Sequence, residues 1–210
     1  MNASVRLAEL LSARICHDLV NPVGACNNGL DMLSDPSSDI FDEARQLAID
    51  SGRSAARTLQ YFRLAYGTAA ERAGPGGSDV KRQVEEFFSE GAVQISWSDE
   101  SYNDPIDAPL TKLLLNLLLV ADESLPRGGS LSVQIVATGA GGHEIAILAM
   151  GEGARLREET AEGLKRDLPD SALNTRNIQG VFTRVLSVSL GAELGVDDSQ
   201  DNCVIFSVAT

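Results

Sequence analysis

Histidine and aspartate stand side by side in "ICHDLVNP", Ile15 to Pro22, and a proline follows five residues after the histidine. His17 is one of only two histidines in the chain, and imidazole readily offers an unprotonated nitrogen near neutral pH. Asp18 can hold the ring by a hydrogen bond or by charge, which fixes the nitrogen that stays unprotonated and nucleophilic. Pro22 lacks a backbone donor and clashes with the carbonyl of Asp18, so a bend is expected one turn after the histidine. The chemistry on offer is that of a positioned nitrogen nucleophile.

Such a nucleophile needs a rigid and accessible mount. Leu7, Leu11, Ile15, Leu19, Val23, Cys26, Leu30 and Leu33 recur at steps of four or three, which predicts one long amphipathic helix from Val5 to Leu33. At the helical angle per residue, Ile15, Val23, Cys26 and Leu30 fall within about half a right angle of Leu19. His17 lands nearly opposite, and Arg14, Asn21, Gly24 and Asn28 share its outer face. Arg14 is placed either to contact an anionic group near His17 or to serve as a solvated surface cation. The second histidine, His143, follows "GAGG" at the start of an expected strand and reads as a turn residue.

"SDPSSD", Ser34 to Asp39, supplies turn residues, after which Phe41, Ala44, Ala48, Ala55, Leu59, Phe62 and Tyr66 mark a second long helix. Ala48, Ser51, Ala55 and Ala56 suit close helix approach. Two antiparallel helices alone leave much apolar surface exposed, so the hairpin is expected to pair with a second copy as a four-helix bundle. "GTAAERAGPGGS", Gly67 to Ser78, lacks an apolar period and reads as a linker. It separates a helical region, 1–72, from a second region, 79–210.

In that second region "DVKRQVEEFFSEG" reads as a helix, "AVQISWS" as a strand and "DAPLTKLLLNLLLVADESL" as a strongly apolar helix. "GSLSVQIVATG" and "HEIAILAM" form a strand pair, "REETAEGLKRDL" and "TRNIQGVFTRVLSVSLGAEL" look helical, and "NCVIFSVA" is a final strand. The fold class is therefore α+β, with helices covering one face of a mostly antiparallel sheet.

Composition narrows the partners. The formal net charge of −13 over 210 residues argues against nucleic acid or an anionic membrane surface and favours a basic protein surface. Glu9 and Arg14 interrupt any secretion-signal core, and "LLLNLLLVA", Leu113 to Ala121, is too short for a membrane span. The reading is a soluble, cytoplasmic chain. Cys16, Cys26 and Cys203 are odd in number and lack metal-ligand spacing, so buried free thiols are expected and no metal site.

"HDLVNP" resembles the H-box of histidine kinases and histidine phosphotransferases. The longer run "LLSARICHDLVNPVGACNNGLDML" is similar to the alphaproteobacterial histidine phosphotransferases, and the likeness extends over nearly the whole chain. The resemblance implies a dimeric helical hairpin bearing the phosphoacceptor His17, followed by a Bergerat-type, histidine-kinase ATPase-like domain that is degenerate. It gives Asp18 an orienting role and Arg14 and Asn21 supporting ones. In many histidine kinases the position of Asn21 positions a water for receiver dephosphorylation.

The kinase boxes can be compared directly. A kinase reads N-x-x-x-N-A where this chain has "NLLLVA", so Asn116 matches the first Asn and Val120 replaces the second. An isopropyl group offers magnesium no oxygen ligand. The D-x-G-x-G box corresponds to "AMGEG", in which Ala149 stands for the Asp while Gly151 and Gly153 are kept, and of G-x-G-L-G-L only Gly180 is suggestive. The implied protein takes no cofactor of its own. Its phosphoryl donor is the receiver domain of a hybrid kinase (CckA-like), its acceptors are response regulators (CtrA- and CpdR-like), and Mg²⁺ belongs to those receivers. Two alternatives fit the same residues: an active kinase with divergent boxes, and an inert dimeric adaptor that binds receivers.

Overall fold

The computed structural model describes residues 3–34, 39–68, 77–98, 106–139 and 141–210. Helix α1 (Ala3–Met32) and helix α2 (Phe41–Ala65) form an antiparallel hairpin. Part of the expected turn, 35–38, and most of the expected linker, 69–76, lie outside the described residues. Gly77 and Ser78, read as linker, instead open helix α3 (Gly77–Phe88).

Pro22 sits inside α1, and the helix runs on for ten residues beyond it, to Met32. One missing backbone bond is an affordable loss in a helix whose neighbouring turns remain bonded and whose flank packs on α2. The two helices approach closely where Gly29 faces Ala44 and Ala48. A Cβ on Gly29 would stand 2.7 Å from the Ala48 nitrogen and 2.8 Å from the Ala44 oxygen. Gly29 thus joins the small residues expected on α2 as the fitting that lets the two backbones meet. α2 carries Asp42 and Glu43 in its first turn and Arg63 in its last, which complements the helix dipole at both ends.

After α3 come strand β1 (Val93–Trp97), helix α4 (Ala108–Glu123), and strands β2 (Gly129–Ala137) and β3 (His143–Met150). Helix α5 (Glu158–Leu164), a 3-10 turn at Asp170–Ala172, helix α6 (Ile178–Ser189), and strands β4 (Glu193–Asp197) and β5 (Cys203–Ala209) complete the chain. The five-stranded sheet has the order β1-β2-β3-β5-β4. β1 and β2 are parallel across the α4 crossover, and the other pairings are antiparallel, with Ser130 opposite Met150 and Ala137 opposite His143 in the expected hairpin.

Side chains alternate across this sheet as strand geometry demands. Leu131, Val133, Ile135, Ile145, Ile147, Ala149, Val204, Phe206 and Val208 are buried on one face, and α4 lies against it. α4 is apolar almost all round, so it needs cover on every side. The sheet covers one flank, and α2 and α6 cover others. Asp107 caps its start by accepting a hydrogen bond from the Leu110 amide at 2.8 Å.

Three sequence expectations are corrected. The segment read as one helix through Leu194 breaks at Gly191, whose φ of 64° ends α6 in the left-handed conformation. Residues Glu193–Asp197 then form the edge strand β4, which lacks a clear inside-outside alternation. α5 stops at Leu164, well before Leu168. Of the three thiols only Cys203 is buried; Cys16 is exposed and Cys26 intermediate, all three unpaired.

One apolar core runs from Tyr61, Phe62 and Ala65 of α2, through α3 and α4, to Val204 and Phe206 of β5. The Tyr61 ring stacks on Phe87 with centroids 4.2 Å apart. The end of the hairpin is thereby built into the second region's core.

Candidate phosphoacceptor site

His17 projects from the middle of α1 with 81% of its side chain exposed. Its apolar neighbours on the other side of the helix, among them Ile15, pack against buried residues. The helical period separates these two faces, which places the ring where a visiting protein can reach it. His17 Nδ1 lies 3.1 Å from Asp18 Oδ1. With Nδ1 protonated and donating to that carboxylate, Nε2 keeps its lone pair.

Arg14, one turn earlier, is drawn off the solvent. Its Nη1 donates to Glu123 Oε1 at 2.5 Å, and only 17% and 14% of the two side chains remain exposed. Glu123 is the last residue of α4, so this pair crosses from the hairpin to the sheet region. Its other oxygen accepts a hydrogen bond from Thr160 Oγ1 of α5 at 3.2 Å. Arg14 Nε stands 3.6 Å from Asp18 Oδ2. Burial alone would lower the guanidinium pKa, but Glu123, Tyr66 and Asp18 together hold it above its ordinary value. The cation is permanent.

Arg14, His17 and Asp18 form one wall of a groove of about 610 Å³, and Arg157, Glu159, Thr175 and Arg176 of the sheet region form the facing wall. Arg176 pairs with Glu159 at 3.5 Å. Asn21 is exposed one turn beyond His17 but is not among the residues lining the groove. His143 opens β3, and its amide and carbonyl both bond to Thr210. Glu123, Arg157, Thr160 and Arg176 went unnoticed in the sequence, because no local spacing links them to a histidine more than a hundred residues away.

The kinase-box positions have a different fate. Asn116 is fully buried. Its Nδ2 donates to Ala65 O at 2.7 Å and Lys112 O at 2.8 Å, while its Oδ1 accepts from Gln179 Nε2 at 3.0 Å. Gln179 in turn accepts from the Tyr66 hydroxyl at 2.6 Å, and burial raises the pKa of that phenol. Val120 and Ala149 are buried core residues.

Gly180 lies within α6, where a Cβ would come 2.7 Å from Thr160 O and 3.3 Å from Gly163. It serves the contact of two helices. Gly153, at φ 73°, and Gly151, whose Cβ would strike Gly128 O at 2.3 Å, serve turns. One committed amide, two hydrocarbon side chains and three structural glycines do not fit a magnesium-bridged nucleotide. No group of potential metal ligands occurs among the described residues, and no helix among them is long and apolar enough to cross a membrane.

Residues 77–202 match the family described as histidine phosphotransferase C-terminal domain. The protein phosphotransferase ChpT of Brucella abortus (strain 2308) is 30% identical over 98% of this chain and 96% of its own length. A solved bacterial phosphotransferase superposes with a TM-score of 0.84 at 28% identity, covering 99% of this chain and 98% of that one. The histidine kinase domain of the Erythrobacter litoralis EL346 blue-light-activated histidine kinase shares the fold at a TM-score of 0.50 and 13% identity, over 90% and 93% of the two chains. The chain belongs to the histidine phosphotransferase family, on a fold shared with histidine kinases.

Proposed function

We propose that the protein is a phosphorelay phosphotransferase that works without ATP. A receiver domain phosphorylated on aspartate docks in the groove, and His17 Nε2 attacks phosphorus in line. The P–N bond forms as the acyl P–O bond breaks, and the aspartate leaves as a carboxylate. The same step in reverse passes the phosphoryl group to the aspartate of a second receiver. Charge on the equatorial oxygens is neutralised by the receiver's own Mg²⁺ and lysine, so this chain supplies a positioned nucleophile and a docking face. By resemblance, the donor is a CckA-like hybrid-kinase receiver and the acceptors are CtrA- and CpdR-like regulators.

The observation that carries the reading is the contrast between an exposed His17 bonded to Asp18 and a nucleotide box whose Asn116 is saturated by Ala65, Lys112 and Gln179. Homodimerisation belongs to the same proposal. Val20 (63% exposed), Val23, Leu30 (54%) and Met32 on α1, with Leu47 and Leu59 on α2, leave an apolar hairpin surface uncovered in the single chain, as a four-helix bundle requires. A cytoplasmic location is part of it, since receivers and their kinases' catalytic parts meet there.

The test is incubation of the purified chain with a ³²P-labelled receiver, then with an unlabelled one. Label is expected on the wild type, absent from His17→Ala, and chased onto the second receiver. Equal label on His17→Ala leaves the adaptor reading standing. Tight Mg·ATP binding, or labelling from ATP with no receiver present, overturns the proposal in favour of a divergent kinase.

A further inference from the structure

Asp18 stands between two cationic or donor groups. One oxygen bonds His17 Nδ1 at 3.1 Å, and the other lies 3.6 Å from Arg14 Nε, just beyond hydrogen-bond range. That Nε is buried and has no hydrogen-bond partner among the described residues. A buried guanidinium N–H with an unmet bond has a strong tendency to take a carboxylate within reach. A small rotation of either side chain would close the gap, and Asp18 would then be drawn from the imidazole toward Arg14. The structure holds Arg14 short of that point by a stronger claim from elsewhere: its Nη1 is bonded to Glu123 at 2.5 Å, and Glu123 is itself fixed at the end of α4 and by Thr160.

We propose that Glu123 is a positioning residue for His17. By engaging Arg14 from the sheet region, Glu123 leaves Asp18 free to hold Nδ1–H, and so keeps the lone pair on Nε2, the nitrogen that Asp18 does not engage. The sheet region thus contributes to the nucleophile's tautomer without touching it. This rests on the phosphoacceptor role of His17 proposed above. The geometry assigns Glu123 an electrostatic task that its position in the sequence, 106 residues after His17, conceals.

The experiment pairs two measurements on the full chain: phosphotransfer from a labelled receiver, and ¹⁵N NMR of the His17 ring nitrogens with no receiver present. His143, the other histidine, serves as internal reference. For Glu123→Gln, transfer is expected to fall roughly tenfold, the usual scale for loss of an orienting partner, and the Nδ1–H tautomer is expected to give way to a mixture. Glu123→Asp should restore much of both. Thr160→Val, which frees Glu123 while keeping volume, should shift both in the same direction by less, and it serves if Glu123→Gln folds poorly.

A Glu123→Gln protein with normal transfer overturns the proposal. So does slowed transfer with an unchanged tautomer, since a prop between two regions would give that result. If wild type takes no label, or His17→Ala takes as much, the phosphotransferase reading fails instead, and the ring-nitrogen spectra still decide the role of Glu123.

Discussion

His17 and Asn116 are both polar residues in helical runs that resemble kinase boxes, and the structure treats them in opposite ways. The imidazole has one hydrogen bond and open solvent; the amide has three protein partners and none. A side chain does chemistry on a visitor only if it holds bonding capacity in reserve. Asn116 has spent its reserve joining α2 to α4 and α6, so it acts as a structural joint.

The sharpest way to break this comparison is His17→Ala, which should reduce receiver-derived label to background while leaving the unfolding midpoint in urea close to wild type, because an exposed side chain contributes little to stability. A large loss of stability would show that His17 is structural. The opposite variant is Asn116→Ala. It orphans the Ala65 carbonyl in the core, at about 1–3 kcal/mol for the group left unpaired, while Gln179 Nε2 keeps its bond to the backbone carbonyl of residue 116 at 3.2 Å. Urea unfolding should therefore show a loss of about 2 kcal/mol. Calorimetry with Mg·ATP should give no binding signal before or after. Nor should Val120→Asn create one, since that residue is sealed in the core, and a buried unpaired amide there should only cost stability.

Gly180 sharpens the same contrast at a smaller scale. If it is a joint between α5 and α6, Gly180→Ala drives a methyl group toward the Thr160 carbonyl at 2.7 Å and should cost about 1–3 kcal/mol, the usual range for overpacking. If it were instead a relic of a mobile phosphate loop, alanine in a helix would stabilise. Thermal unfolding gives opposite signs for the two cases.

How far the sequence disclosed this division depends on the range of the interactions. The outward face of His17 follows from local periodicity, and Asp18 from adjacency, so both were readable one residue at a time. The apolar α4, the β2–β3 pair and the chemical losses at Val120 and Ala149 were readable for the same reason. Arg14 was placed on the right face of the helix, but its partner comes from the far end of α4, and no spacing rule reaches across 109 positions. β4 was hidden because a short edge strand buries too little to impose alternation, and the helical run before it ends on a single glycine, Gly191. Cys16 was expected inside on residue type alone, whereas the helix turns it outward beside His17.

The smallest expected effect lies where the two regions meet. Asp122, next to Glu123, lines the crevice between α2 and the start of β2. Burial first, and then the charge of Glu123, push its pKa from 3.8 to about 6, against the pull of Arg14 and Arg157. The folded chain therefore holds this proton more tightly than the unfolded chain does. Between about pH 4 and pH 6 the folded state keeps a proton that the unfolded state has released, so stability falls as pH rises through that window, and the full penalty is present above it. Two pKa units correspond to roughly 3 kcal/mol, and the part of Asp122 that still meets water brings the expectation down to about 1–2 kcal/mol. Asp122→Asn should accordingly raise stability by that amount at pH 7.5 in urea unfolding, with the gain vanishing near pH 4. An equal gain at both pH values would mean that the substitution acts through helix packing, and that the junction carries no charge strain of its own.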